Sequence, residues 1–162
     1  MENQKKSPFL IENLAEDSGF LMLLVSNLWA SCQDKALRNF YDISHMQFSV
    51  LASVNWQVIH CEKEVTQAII ARHIKVTPVT ISQMLKVLEA KGYVSRKVNS
   101  TNVRAKSVEL TPKGEELMIM AMKTIYDVNA KFFGILGKNI KHFNCYMSEL
   151  VLGNDYVNTG IF

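Results

Sequence analysis

The chain is poor in the residues that announce covalent or cofactor chemistry. Its three cysteines, Cys32, Cys61 and Cys145, are odd in number and widely spaced, which excludes a disulfide framework and the paired ligands of a zinc finger. No apolar run reaches the roughly 18 residues of a membrane span, because Ser26, Asn27, Asp34, Lys35 and Arg38 interrupt the greasiest region. The polar start, Met1 to Ser7, followed by Glu12, Asn13, Glu16 and Asp17, is not a secretory leader, so a cytoplasmic location is expected. There is no glycine-rich phosphate loop, nucleophile elbow or paired-carboxylate arrangement. An enzyme is therefore not expected, nor a cofactor or a metal. His60, Cys61, Glu62 and Glu64 are the one concentrated set of metal-ligand types, and they read as a solvated loop. Cys32, between Leu28 and Ala36 on a helix, reads as core, and Cys145 similarly.

What is present is a hydrophobic chain of 162 residues, 48% apolar, the size of one ordinary domain with a sizeable core. The net charge of +3 is unevenly placed. Residues 65–110 hold eight basic residues and two acids, a local +6, while the remainder sums to −3. A basic middle on an acidic scaffold suits a polyanion.

Apolar periodicity gives helices on both sides of a short β segment. Leu14, Leu21, Leu24, Leu28, Cys32, Ala36 and Phe40 predict a long first helix from about Phe9 to Asn39, with a fresh start near Ser18 because of Gly19. Further apolar residues, including Phe20, Leu23 and Trp29, make it greasy on more than one side, which calls for a partner chain. Ser44 and Gln47 have capping-box spacing and open a second helix to about Trp56. Thr66 caps a third, with Ile69, Ile70 and Ile74 as its stripe.

Thr77-Pro78 is an N-cap followed by proline at the first helical position, where its missing N–H is not needed. The fourth helix buries Ile81, Met84, Leu85 and Leu88 at i, i+3, i+4 and i+7, and Gly92 ends it. From Tyr93 the period changes: two β-prone runs, ending at Val98 and resuming by Val108, flank a polar tip at Asn99 to Asn102, a hairpin. Thr111-Pro112 repeats the cap signal and opens a fifth helix of about 25 residues, weakened at Gly134 and Gly137 before a final helix from Lys138 to Leu152.

A helix reads the major groove when its inner face is anchored and its outer face is small and hydrogen-bonding. Thr77, Thr80 and Ser82 supply hydroxyls near the N-terminus that Pro78 opens, where backbone N–H groups and the helix dipole also favour phosphate. Gln83 suits adenine, Lys86 a guanine edge or phosphate, and Val79 a thymine methyl. The hairpin adds Arg96 and Lys97 on one strand and Arg104 and Lys106 on its return, placed to track phosphates and enter the minor groove.

Thr66 to Glu115 resembles the MarR family of winged helix-turn-helix regulators. The resemblance is carried by Val76 to Ser82, Lys86 to Gly92 (KVLEAKG), Tyr93 to Arg96 and Val108 to Gly114 (VELTPKG). It implies a mainly α fold with a small β-hairpin wing, in which residues 1–40 and 112–162 are dimerisation helices around a DNA-binding domain at 41–111. It also implies a homodimer, a repressor of transcription, and release by a small, often aromatic or phenolic effector at the junction of dimer and reading domains. Three positions depart from the family pattern. Lys75 stands where glycine is common in the helix-turn-helix turn, and Asn102 precedes Val103 and Arg104 where the wing often has aspartate. Phe20 stands where peroxide-sensing members have cysteine. The competing class is a helical dimer whose winged domain binds protein.

Overall fold

A computed structural model describes residues 14–61, 64–98 and 106–154. A short 3-10 turn, Leu14–Glu16, precedes α1, Ser18–Tyr41. Asp17 starts α1 by accepting the Phe20 N–H, so the fresh start expected beside Gly19 is where this helix begins. α2 spans His45–His60 and opens with the predicted capping box, Ser44 and Gln47 satisfying each other's backbone. α3 is Gln67–His73, capped by Thr66, and α4 is Pro78–Ala90, capped by Thr77. β1, Val94–Val98, pairs antiparallel with β2, Lys106–Leu110, in the register Arg96 opposite Val108. α5 runs Pro112–Phe133 and α6 Ile140–Asn154, joined by a 3-10 segment, Gly134–Asn139, in which Gly137 has φ 50°. The mainly α fold with one hairpin is the expected one, and no helix among the described residues is long and apolar enough to cross a membrane.

The core gathers where the middle of the chain folds on itself. Leu37 and Ile43 meet Val50, Leu51 and Val54 of α2, Ile70 of α3, Ile81, Leu85 and Leu88 of α4, and Val94 and Val108 of the hairpin, with Leu117, Ala121 and Ile125 of α5 closing it. The predicted stripe of α4 is thus buried except for a half-buried Met84. Of the stripe expected for α3 only Ile70 is fully buried, Ile69 and Ile74 being partly so, and Ala71 is buried beside it.

α3 ends as helices do when the next residue turns left-handed. The Val76 N–H reaches back to Ala71 O at 3.1 Å and Lys75 takes φ 57°, the pattern in which glycine is usual. α4 ends the same way with the usual residue: Tyr93 N–H bonds Leu88 O at 2.9 Å and Gly92 has φ 75°. Gly114 answers a different demand, since a Cβ there would lie 1.9 Å from the Tyr93 carbonyl oxygen. This close approach brings the start of α5 against the base of the hairpin.

The first helix corrects one expectation. Its buried residues are Gln33 and Leu37, whereas Leu21, Leu24, Leu28 and Phe40 are exposed, Leu28 by 60% and Phe40 by 72%. Cys32 shares that exposed face, and Cys145 is exposed on α6, so neither thiol is core in the single chain. The periodicity was real, but it marks a face that this chain does not cover.

Candidate nucleic-acid interface

Two elements carry the predicted site residues, and the structure joins them. α3 and α4 meet through Gln67, whose Nε2 donates to the Pro78 carbonyl at 2.9 Å. At the start of α4, Thr77 Oγ1 accepts the Thr80 N–H at 3.2 Å and bonds the Thr80 hydroxyl at 2.9 Å. Burial of Ile81, Leu85 and Leu88 turns the opposite face outward. Thr77, Pro78, Val79, Gln83 and Lys86 are exposed, Val79 by 67%, and Thr80 and Ser82 are half-buried. Gln83 and Lys86 make no side-chain hydrogen bond or ion pair with the described residues, so α4 presents an uncommitted amide and an uncommitted ammonium beside short hydroxyls.

The hairpin is fixed to this helix by charge. Arg96 of β1 donates from Nε to Glu89 Oε2 at 2.9 Å and from a terminal nitrogen to the same oxygen. The Arg96 side chain is 18% exposed, and its hydrogen bond is the largest cause holding the Glu89 carboxyl below the usual range. Arg96 therefore ties the wing to α4, a contact that sequence spacing does not reveal because the fold alone brings β1 back against Glu89. Lys97 pairs with Glu109 across the strands at 2.6 Å, on an exposed face. Lys106 is exposed at the start of β2. Asn102 and Arg104 lie outside the described residues.

A second tether supports β2 from behind. Val108 N–H donates to Val65 O at 2.8 Å, and Thr66 bridges Ser107, so the link before α3 is pinned to one edge of the hairpin. At the other end, Lys91 Nζ bonds the Asp42 carbonyl and, at 2.8 Å, its carboxylate. Asp42 has φ 53° and closes α1. The end of α4 is thereby fixed to the end of α1.

Behind α4 and the hairpin lies a cleft of about 410 Å³ between α1, α2, α3 and α5, lined among others by Trp29, Gln33, His45, Trp56, His73 and Asn129. Burial pushes both histidines below the ordinary imidazole range, the Asp34 carboxylate opposing this at His45. No group of three or more metal-ligand side chains occurs among the described residues. Of the loop that drew attention in the sequence, Glu62 lies outside them.

The sequence model of the ArnR1-like winged-helix domain matches residues 39–129. A curated relative, the uncharacterized HTH-type transcriptional regulator YdcH of Bacillus subtilis (strain 168), is 29% identical over 133 residues, 82% of this chain and 88% of its own. CouR from Rhodococcus jostii RHA1, solved bound to p-coumaroyl-CoA, superposes with a TM-score of 0.74 at 21% identity, covering 91% of this chain and all of that one. A variant of MarR from E. coli, solved with operator DNA, superposes at 0.72 and 21% identity over 82% of this chain and 92% of its own.

Proposed function

The chain belongs to the ArnR1-like winged-helix family and has the fold of MarR-family regulators, and we propose that it is a homodimeric repressor of transcription that reads a pseudo-palindromic duplex site. The observation that carries this is the pairing of α4 with the wing: a capped helix with an uncommitted small polar face, clamped through Glu89 and Arg96 to a basic hairpin. In this reading Thr77, Thr80, Ser82, Gln83, Lys86 and Val79 enter the major groove behind Pro78, and Gln83 carries base preference. Lys97, Asn102, Arg104 and Lys106 follow the phosphates into the adjoining minor groove, with Arg96 setting their angle.

The division of labour proposed for the chain is 1–40 and 112–162 for dimerisation and 41–111 for DNA. The uncovered apolar face of α1 and an α6 that buries no residue of its own support it. Two such lobes place their α4 helices in successive major grooves about 34–36 Å apart. A ligand wedged in the cleft between α1, α5 and the reading domain changes that spacing and releases DNA. MarR solved with operator DNA and CouR solved with p-coumaroyl-CoA are parallels for both halves of the scheme.

Selection of bound fragments from genomic DNA, scored for a two-fold motif, tests the proposal. A recovered inverted repeat with steep loss of affinity in salt is expected. Recovery of no duplex above background at low salt contradicts it and favours a winged domain that binds protein.

A further inference from the structure

The cleft between α1, α2, α3 and α5 has walls whose hydrogen-bond polarity can be worked out from one atom. The Trp29 indole N–H can only donate, and it lies 2.8 Å from Asn129, so the Asn129 atom facing it is the carbonyl oxygen. Gln33, 98% buried, meets that same oxygen at 2.9 Å and must therefore present its amide nitrogen. Its carbonyl oxygen is then the atom 2.6 Å from His45 Nδ1, and the imidazole must donate there. In neutral His45 the proton is thus on Nδ1 and Nε2 is an acceptor. On another part of the wall the buried Ser53 hydroxyl bonds His73 Nδ1 at 2.8 Å.

The rest of the wall is aromatic or apolar. Trp29 stands edge-on to His45 at 5.3 Å, Trp56 is stacked with His73 at 6.4 Å, and Phe48, Ile74, Met122 and Ile125 complete it. No lysine, arginine, aspartate or glutamate is among the lining residues. Burial disfavours the charged form of both histidines, so the wall carries no fixed cation.

We infer that this cleft selects an uncharged aromatic ligand that carries a hydrogen-bond donor, and rejects the aromatic carboxylate of the same shape. A carboxylate entering such a wall loses its water without gaining a counter-charge, whereas a neutral ring packs against the aromatic and apolar wall and donates to His45 Nε2. Its volume of about 410 Å³ is that of a small-molecule site. The inference rests on the regulator reading of the same cleft, yet its test is separate from DNA.

The test titrates the full chain at pH 7 with 4-hydroxybenzamide and with 4-hydroxybenzoate, probes that differ in the carboxamide or carboxylate alone. Calorimetry gives affinity. Tryptophan emission reports the place, since both tryptophans of the chain, Trp29 and Trp56, line the cleft. The amide is expected to bind at least tenfold more tightly and to change the emission saturably. Asn55→Lys, which puts an ammonium on the lining residue Asn55, is expected to move the preference toward the carboxylate. A ratio below tenfold, a preference for benzoate in the unmodified chain, or no saturable change with either probe overturns the inference. Failure here with an intact DNA motif sinks the ligand class alone. Ligand binding without any DNA motif sinks the regulator reading instead.

Discussion

The middle of the molecule and its outer helices use apolar residues in opposite ways. Between Val65 and Leu110 the helical stripe is the buried stripe: Ile81, Leu85 and Leu88 are fully buried, and the charged and hydroxylated residues between them face out. In α1 the stripe at Leu21, Leu24 and Leu28 is exposed while the neighbouring Gln33 is buried, and α6 buries none of its residues. The first pattern belongs to a unit that completes its own core. In the proposed dimer the second is the surface that the other chain covers, since contiguous exposed apolar faces of this kind are interaction sites.

Putting a charge on the outer face should break this contrast most visibly. Leu28→Asp, at a position 60% exposed in the single chain, is expected to leave the helical signal unchanged, halve the particle mass in sedimentation, and weaken operator binding about 100-fold through loss of the second half-site. Retained dimer mass would show that the exposed stripe serves something else. Within the middle, Gly114→Ala forces a methyl onto the Tyr93 carbonyl and should cost about 1–3 kcal/mol, a drop in melting midpoint on the order of 5 °C. An unchanged midpoint would mean that α5 does not depend on that close approach.

Smaller effects separate the two reading elements. Arg104→Ala should weaken binding by about tenfold at low salt and reduce the salt slope by about 1, whereas Gln83→Ala should alter base preference at one position with little change in slope. Equal effects of both on every duplex would erase the distinction between wing and groove helix. The smallest effect is on pH. Burial holds His45 and His73 below the usual imidazole range, so the unfolded chain takes up protons first as pH falls through about 6.5, and stability declines below that point. Melting curves between about pH 7.5 and 5.5 should show the decline, flattened in His73→Gln; an identical slope in the variant would remove His73 from this account.

Caps and breaks were the most legible part of the fold. Ser44, Thr66, Thr77 and Thr111 all cap where a short polar residue precedes a periodic run, because each meets a local demand for a hydrogen-bond acceptor at a helix start. Lys75 was legible as a problem and the structure solves it by accepting the left-handed conformation that Gly92 adopts freely. Apolar residues on more than one side of α1 already called for a partner chain, but which face this chain itself covers was not legible, since periodicity says that a face is apolar without saying what covers it. Nor was the Glu89–Arg96 clamp, which depends on how β1 leaves α4, or the relay from Trp29 through Asn129 and Gln33 to His45, whose members lie about 100 residues apart in sequence at their widest.

The central claim is that two winged units, held by the outer helices, read one duplex together. A hydroxyl-radical footprint on a recovered fragment tests it most directly. Two protected segments related by a two-fold axis and centred one helical turn apart, about 10–10.5 base pairs, are predicted, lost together in Leu28→Asp. A single protected segment that survives that substitution would contradict the account.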